Sequence, residues 1–376
     1  MYRIWVGKRE SDIQTYDFFD CSITFYGSNT NTNYSYCINK RIVSNNSTDF
    51  VNYVLKVLTP KIEENQDTEI HFYNNSFAYK LISIAPWISQ YVVNLNSENI
   101  LKLANHKALS RLWLSNTVQT PAYCLLSKKE ISINNLQQKF GLFDSFVIQK
   151  NFSGGGLGTY ILNKYNEKII LKSLKDEQIY LVSPYYYPNQ SFSCHAMISN
   201  DSIAIFPIST QILYTNNEKI EYRGNDYICQ QSSISFEIKQ IASSICLRLQ
   251  GIGYRGICGF DFIEYKNKIL LIEINPRYQG SSYIINKVLK ENEMLSLFEM
   301  NSLCFNNAFE KKIADSINAL QINYKNRCII FDTENDLKEA RNSFNNKKLI
   351  TFDDGFSCAS TFEAGAYLLR YLFLAD

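Results

Sequence analysis

The sequence predicts a chain of mixed α/β and α+β architecture built from several subdomains. Three observations carry this. Over residues 1–100, short strands of period two alternate with polar turns and helix-like stretches. Near the middle, the glycine-rich run Ser153, Gly154, Gly155, Gly156, Leu157, Gly158 separates two apolar strands. Further on, Gly259-Phe-Asp-Phe-Ile-Glu-Tyr-Lys-Asn-Lys-Ile-Leu-Leu-Ile-Glu-Ile-Asn-Pro-Arg277 reads as two strands joined by a tight polar turn at 265–268. With 376 residues the chain has ample volume for more than one apolar core.

Taken in order, strands are expected at 2–6, 22–26, 69–73 and 91–95, with a helix over 48–58 that Pro60 ends. Residues 96–115 read as two short helices. Strands follow at 146–150, 160–162 and 179–183. In 235–250, Phe236, Ile238, Ile241, Ile245, Leu247 and Leu249 recur at helical spacing, as in an ordinary core helix. The tail predicts a strand at 328–332, a helix at 334–345, a segment at 348–352 and a final helix over 360–374, with Ser360 and Glu363 as N-cap and reciprocal acid. The expected units are 1–100, 101–183, 184–310 and 311–376.

The hairpin carries the clearest chemistry. Side chains alternate along a strand, so Glu273 and Asn275 share a face, and the turn brings Asp261 toward them. Two carboxylates and an amide oxygen make an oxygen-only site of the kind Mg²⁺ prefers when phosphate oxygens complete its shell. Arg277 follows two residues on as a fixed cation. Upstream, Lys150 ends the strand before the glycine run. Glycines let backbone N–H groups close on phosphate oxygens, and a flexible hairpin explains the same run. The run lacks the Gly-Lys-Ser/Thr ending of a P-loop, and no Gly-x-Gly-x-x-Gly follows the first strand.

Together these features, over roughly residues 100–310, resemble the ATP-grasp superfamily, in its carboxylate–amine ligase branch. The resemblance implies an ATP-grasp fold: two α+β subdomains with ATP between them, preceded by a pre-ATP-grasp α/β domain and followed by a small C-terminal α/β unit. Lys107, in Asn105-His-Lys-Ala-Leu-Ser-Arg111, is similar to the family's earlier nucleotide-binding lysine, and Lys150 to the lysine before the loop. It implies that Asp261, Glu273 and Asn275 hold Mg²⁺ or Mn²⁺, that Arg277 contacts the transferring phosphate, and that Ser153, Gly154, Gly155, Gly156 and Gly158 close over ATP. Leu181 and Val182 take the place where backbone groups meet adenine. Many members carry a glutamate just after this point; here Ser183-Pro-Tyr-Tyr-Tyr-Pro-Asn-Gln190 has no acid, leaving Gln190 or a backbone group for the ribose. Gln211, Arg223, Gly280 and Ser281 are substrate candidates. Arg223 in particular would hold a carboxylate as a fork, although a strand entering a polar loop explains 209–224 equally.

Composition narrows the classes. The 38 basic and 36 acidic residues leave a net charge of +2 with no basic stripe, which argues against nucleic acid. No apolar run is long enough to span a membrane, and the N-terminus reads as a strand rather than a signal peptide. The ten cysteines form no Cys-x-x-Cys pair and read as reduced core thiols in a cytoplasmic protein. With three histidines and no Ser/His/Asp spacing, no covalent nucleophile is expected. The expected partners are a small carboxylate and an amine resembling an amino acid. A homodimer is compatible with the sequence, which leaves the oligomeric state open. The resemblance implies ligation through an acyl phosphate. A carboxylase that activates bicarbonate and a nucleotide-binding module without catalysis are the alternatives.

Overall fold

The structure is a computed structural model that describes residues 1–27, 35–37, 48–152, 158–187, 189–215, 220–227, 232–357 and 365–375. Among them the strands build three sheets. The first is parallel, with β1 (Tyr2–Arg9), β2 (Cys21–Tyr26), β3 (Ser35–Cys37) and β4 (Thr68–Phe72) in the order β3-β2-β1-β4. Helices α1 (Thr48–Glu64) and α2 (Asn75–Ile84) follow β3 and β4. Phe50, Val54 and Leu58 of α1 pack on Ile4, Ile23 and Ile70 of the sheet.

Two expectations fail here. Pro60 lies inside α1 rather than ending it. Both Pro60 and Lys56, whose carbonyl loses its N–H partner to the proline ring, are exposed, so that part of the helix lies open to solvent. The strand expected at 91–95 is only a bridge between Ile70 and Val92. A 3₁₀ turn over Pro86–Tyr91 precedes it, and Asn94 at φ 56° breaks the extended run.

Helices α3 (Glu98–Asn105) and α4 (Lys107–Trp113) lead to the second sheet. This is antiparallel, with β5 (Cys124–Ser127), β6 (Ser145–Lys150), β7 (Thr159–Asn163) and β8 (Ile179–Pro184) in the order β5-β8-β6-β7. Helices α5 (Ile133–Phe140) and α6 (Glu167–Ser173) close its core through Leu136 and Ile170, against Phe146, Ile148 and Leu162.

The third sheet holds β9 (Gln190–Ile198), β10 (Ile203–Ile205), β11 (Ser209–Thr215), β12 (Ile220–Tyr227), β13 (Gly256–Tyr265), β14 (Lys268–Asn275), β15 (Tyr324–Phe331), β16 (Ile350–Asp353) and β17 (Ala366–Leu374). The path runs β14-β13-β9-β11-β12-β15-β17-β16. Helix α7 (Ser233–Gly251) buries Ile238, Ile245 and Leu249 against Phe260 and Phe262, while α8 (Ser282–Glu291), α9 (Leu297–Phe305) and α10 (Lys311–Asn318) cover another part. The tail strands are therefore bonded into the sheet that carries the hairpin. Helix α11 (Glu334–Asn345) packs Ala340 against Ile329 and Leu369.

The final helix expected over 360–374 is β17. Leu369 packs with Ala340 of α11, while Leu372, three residues on, lies in the core with Tyr283 and Phe352, so both faces of the strand are covered. A strand buried on two sides reads as an unbroken apolar run, which periodicity cannot separate from a helix. The Ser360 and Glu363 cap lies outside the described residues.

One aromatic group joins the first sheet to the loop after the hairpin. Trp5 packs its ring 5.3 Å from Tyr278 and 5.2 Å from Phe298. Tyr278 follows Arg277 directly, so this contact anchors the far end of the β13–β14 hairpin to the N-terminal unit.

Candidate active site

The hairpin turns through Lys266 and Asn267, both in the left-handed region at φ 51° and 59°. From Tyr265↔Lys268 to Phe262↔Leu271 the ladder is regular. Continued unchanged, it would set Asp261 against Ile272 and turn Glu273 to the opposite face. Instead the register shifts between Asp261 and Phe262, Ile272 is left over, and Asp261 pairs with Glu273 and Gly259 with Asn275. This β-bulge is what puts both carboxylates and the amide on one face. The bulged carbonyl of Ile272 does not go unsatisfied: it accepts from Arg111 Nε at 3.3 Å and Nη2 at 3.0 Å.

Arg111 and Lys107 come from one face of α4, a turn apart. The helix is capped by His106, whose Nδ1 accepts from the Leu109 N–H at 3.2 Å. Lys107 is buried, and its Nζ lies 2.7 Å from Glu273 Oε2. The Lys107 N–H donates to the Asn151 carbonyl at 3.1 Å, which ties α4 to the end of β6.

Around the carboxylates, Gln211 Nε2 donates to Asp261 Oδ1 at 2.9 Å, and Asn275 Nδ2 donates to Asp261 Oδ2 at 2.9 Å and Glu273 Oε1 at 3.4 Å. Arg277 donates to Asn275 Oδ1 at 2.8 Å and to the Tyr278 carbonyl at 3.0 Å. The two carboxyl groups are pushed in opposite directions. Burial, then the neighbouring Glu273 charge, pushes Asp261 up to about 7. Burial also opposes the charge on Glu273, but Lys107 and Arg277 outweigh it and hold that carboxyl below its usual range.

These residues line one cleft of about 1350 Å³ together with Lys150, Gly158, Gln190, Gly280 and Ser281. Gly158 sits beside Lys150 at φ 71°, in the left-handed region that favours glycine, and a Cβ there would stand 2.7 Å from the Lys150 Cδ and push that side chain aside. Ser153, Gly154, Gly155 and Gly156 lie outside the described residues. Gln190 reaches Thr210 at 3.4 Å. Gln211 stands at the cleft, but its amide is engaged by Asp261. Among the described residues no group of three His, Cys, Asp or Glu side chains is placed to hold a metal. The donors present are two carboxylates and an amide.

Two sets of sequence candidates fall elsewhere. Leu181 and Val182 do not line the cleft. Strand β8 is internal, and both residues are paired on one side with β5 and on the other with β6, so their backbone groups are already used. Ser183, Pro184 and Tyr185 reach the cleft in their place. Arg223 is also absent from it. Alternation along β12 sends Ile220 and Tyr222 to the cleft and Glu221 and Arg223 to the other face. There Arg223 meets Glu221 at 2.9 Å and Asp332 at 3.0 Å. Arg223→Ala is therefore expected to leave substrate KM values unchanged and to lower stability by no more than about 1 kcal/mol, as for a partly exposed ion pair. Steady-state kinetics and urea unfolding check both halves.

Sequence reasoning passed over Arg111, whose spacing of four from Lys107 on one helix was the available signal. It also passed over Lys8 and Arg9, which end β1 and line the same cleft. His195 stays out of the chemistry: burial pushes it down to about 3, and it holds Ser282 Oγ at 3.0 Å.

The sequence of residues 104–281 matches the ATP-grasp domain family. This stretch is an ATP-grasp domain. It spans the two lysines, the second sheet and the hairpin described above. The whole-chain fold agrees: a carboxyaminoimidazole ribonucleotide synthase from Aspergillus clavatus, solved with ATP, superposes with a TM-score of 0.67 at 12% identity, covering 100% of this chain and 94% of that one. An L-amino acid ligase from Bacillus licheniformis superposes with a TM-score of 0.62 at 11% identity, covering 99% and 93%. In sequence, the [butirosin acyl-carrier protein]–L-glutamate ligase of Niallia circulans is 23% identical over 187 residues. That alignment spans 47% of this chain and 43% of the relative, so less than half of the relative's length is matched. The ATP-grasp fold is thus shared over the whole chain, with no helix among the described residues long and apolar enough to cross a membrane.

Proposed function

We propose that this chain is an ATP-dependent ligase that joins a carboxylate to an amine, both small and resembling amino acids, through an acyl phosphate. The observation that carries the reading is the convergence, on one cleft, of Asp261, Glu273 and Asn275 with Lys107, Lys150 and Arg277. The donor set fits a hard divalent cation: the oxygens are hard, they come from paired strands, and the buried Asp261 is short of positive charge. Asp261, Glu273 and Asn275 would hold Mg²⁺, which when bound neutralises phosphate oxygens.

In this reading Lys107 and Lys150 bind ATP phosphates, and Arg277 faces the phosphate that is transferred. A substrate carboxylate oxygen attacks the γ-phosphorus, the bond to ADP breaks, and an acyl phosphate forms. The amine nitrogen then attacks the acyl carbon, phosphate leaves, and the amine proton passes to solvent. Fixed cations that need no reorganisation are what lower the cost of bringing two anions together. Arg111 acts at one remove, by holding the bulge that aims Glu273.

The test is phosphate release from ATP across a panel of amino acids and amines, with and without bicarbonate. Release that requires both a carboxylate and an amine supports ligation. Release that requires bicarbonate and no amino-acid carboxylate replaces ligation by carboxylation. No release with any pair points to a nucleotide-binding module.

The charge state of Asp261 supplies a further prediction. Its carboxyl titrates near 7 in the folded chain against an ordinary 3.8, so the folded state holds a proton that the unfolded chain has lost between those values. Stability of the unliganded protein should therefore fall as pH rises from about 4 to 7 through this group. Binding of Mg·ATP near pH 7 should expel part of that proton. Calorimetry in two buffers of different ionisation enthalpy reads the release directly; a heat independent of buffer would remove Asp261 from the cation site.

A further inference from the structure

Strand β14 is the end strand of the third sheet and pairs on one side with β13. The same pairing run on without the bulge would turn Glu273 away from Asp261. What holds the bulge comes from the outer edge of the strand. The Leu271 N–H donates to the Gln119 carbonyl at 2.9 Å. The next carbonyl, that of Ile272, accepts from Arg111 Nε at 3.3 Å and Nη2 at 3.0 Å. Both partners belong to residues 107–121, which begin with Lys107, whose ammonium lies 2.7 Å from Glu273. One segment therefore grips the same carboxylate twice, at its side chain and through the backbone beside it.

Arg111 is a costly way to satisfy a carbonyl. It is 2% exposed, and among the described residues it forms no ion pair. The Glu273 charge acts on it, but that carboxylate is in contact with Lys107. Its Nη1 is buried with no hydrogen-bond partner, and the guanidinium carbon stands 5.6 Å from the centre of the Tyr123 ring. Burying a guanidinium without a carboxylate of its own costs free energy, and a methionine would fill a similar length without that cost. Packing does not account for an arginine at this position. The fork does: two N–H groups on one oxygen fix the direction of the carbonyl, which a single ammonium does not.

We propose that Arg111 is a positioning residue for the cation site: it clamps the Ile272 carbonyl, the clamp keeps the bulged register, and divalent-cation affinity depends on it although Arg111 touches neither the cation nor the nucleotide. This rests on the reading of Asp261, Glu273 and Asn275 as the cation site and adds a residue to it. The chain of contacts is short. Arg111 holds the carbonyl of Ile272, Ile272 precedes Glu273, and the register at that point decides which face Glu273 takes. Without the fork the edge strand is free to relax toward the regular ladder, and the two carboxylates part.

The test uses the full chain with a non-hydrolysable ATP analogue and reads Mn²⁺ binding by electron paramagnetic resonance. Arg111→Met should weaken Mn²⁺ binding by about tenfold or more, the scale seen when a group that orients a metal ligand is lost. Arg111→Lys, which keeps the charge and one donor, should fall between the two. Binding of the analogue alone, in EDTA, should be the same in all three. Equal Mn²⁺ affinity in wild type and Arg111→Met would overturn the proposal. So would weaker binding of the metal-free analogue, which would make Arg111 a nucleotide ligand. If wild type itself binds no Mn²⁺, the cation reading fails by itself, and the clamp is read by hydrogen exchange instead. The amides of 272–274 should exchange faster in Arg111→Met than in wild type, and equal rates would overturn the clamp. Where Arg111→Met does not fold, Arg111→Lys carries both readouts: weaker Mn²⁺ binding with faster exchange supports the clamp, and wild-type values for both overturn it.

Discussion

Replacing Glu273 by glutamine is expected to reduce ATP turnover by about a hundredfold or more, the scale seen when one preorganised charged group is removed from a reacting centre. Shape is kept; charge is lost. Two partners then change state. The cation site loses one of its two carboxylates, and Lys107, buried at 3% exposure, loses the carboxylate 2.7 Å from its ammonium. Removing one member of a buried pair costs up to about 3–5 kcal/mol, so a lower unfolding midpoint in urea should accompany the kinetic loss. Saturating Mg·ATP should recover part of that stability if any affinity remains, because ligand binds only the folded state. Phosphate release at the wild-type rate would sink the assignment of Glu273 to the reacting centre.

The second large effect lies away from the phosphates. Arg370 is fully buried, with Asp354 at 3.0 Å and 3.1 Å, Asp12 at 2.9 Å and the Tyr283 ring at 4.0 Å. Ser11 closes the group by donating to Asp354 at 2.5 Å. The approach to Asp12 lacks hydrogen-bond angles, so its worth is the charge alone. Arg370→Met leaves the buried carboxylates of Asp12 and Asp354 with only Arg9 and Lys8 as nearby cations, and unfolding free energy should fall by about 3–5 kcal/mol. Arg370 also donates to the Gly280 carbonyl at 3.3 Å, so the start of α8 at the cleft should loosen and turnover should fall with stability. The double variant Arg370→Met/Asp354→Asn should be more stable than Arg370→Met alone, since it removes an uncompensated charge. Equal stability of wild type and Arg370→Met in urea at pH 7 would show that the cluster is solvated.

Much of this site can be read from residue types and local spacing. The alternation around Asp261, Glu273 and Asn275, the lysine ending β6, and the lysine opening α4 are local patterns, and each lands on the cleft. Local patterns also place most strands and helices, because burial of one face leaves a period in the chain. Four matters were decided only by tertiary structure. An unbroken hairpin from the 265–268 turn would have turned Glu273 away from Asp261; the bulge at Ile272 corrects it, and that bulge is stabilised by Arg111 from 161 positions earlier. Arg223 and Tyr222 are neighbours in sequence, and only the face that β12 presents decides which reaches the cleft. The backbone of Leu181 and Val182 is unavailable because β8 lies inside its sheet, a fact of strand order that no local pattern encodes. β17 reads as a helix because both its faces are buried. The sequence by itself thus determined which chemical groups the chain brings and where local structure begins. Register, strand order and the pairing of distant charges were left to the fold, because each is set by contacts between segments far apart in the chain, and a shift of one residue turns a side chain from one face to the other.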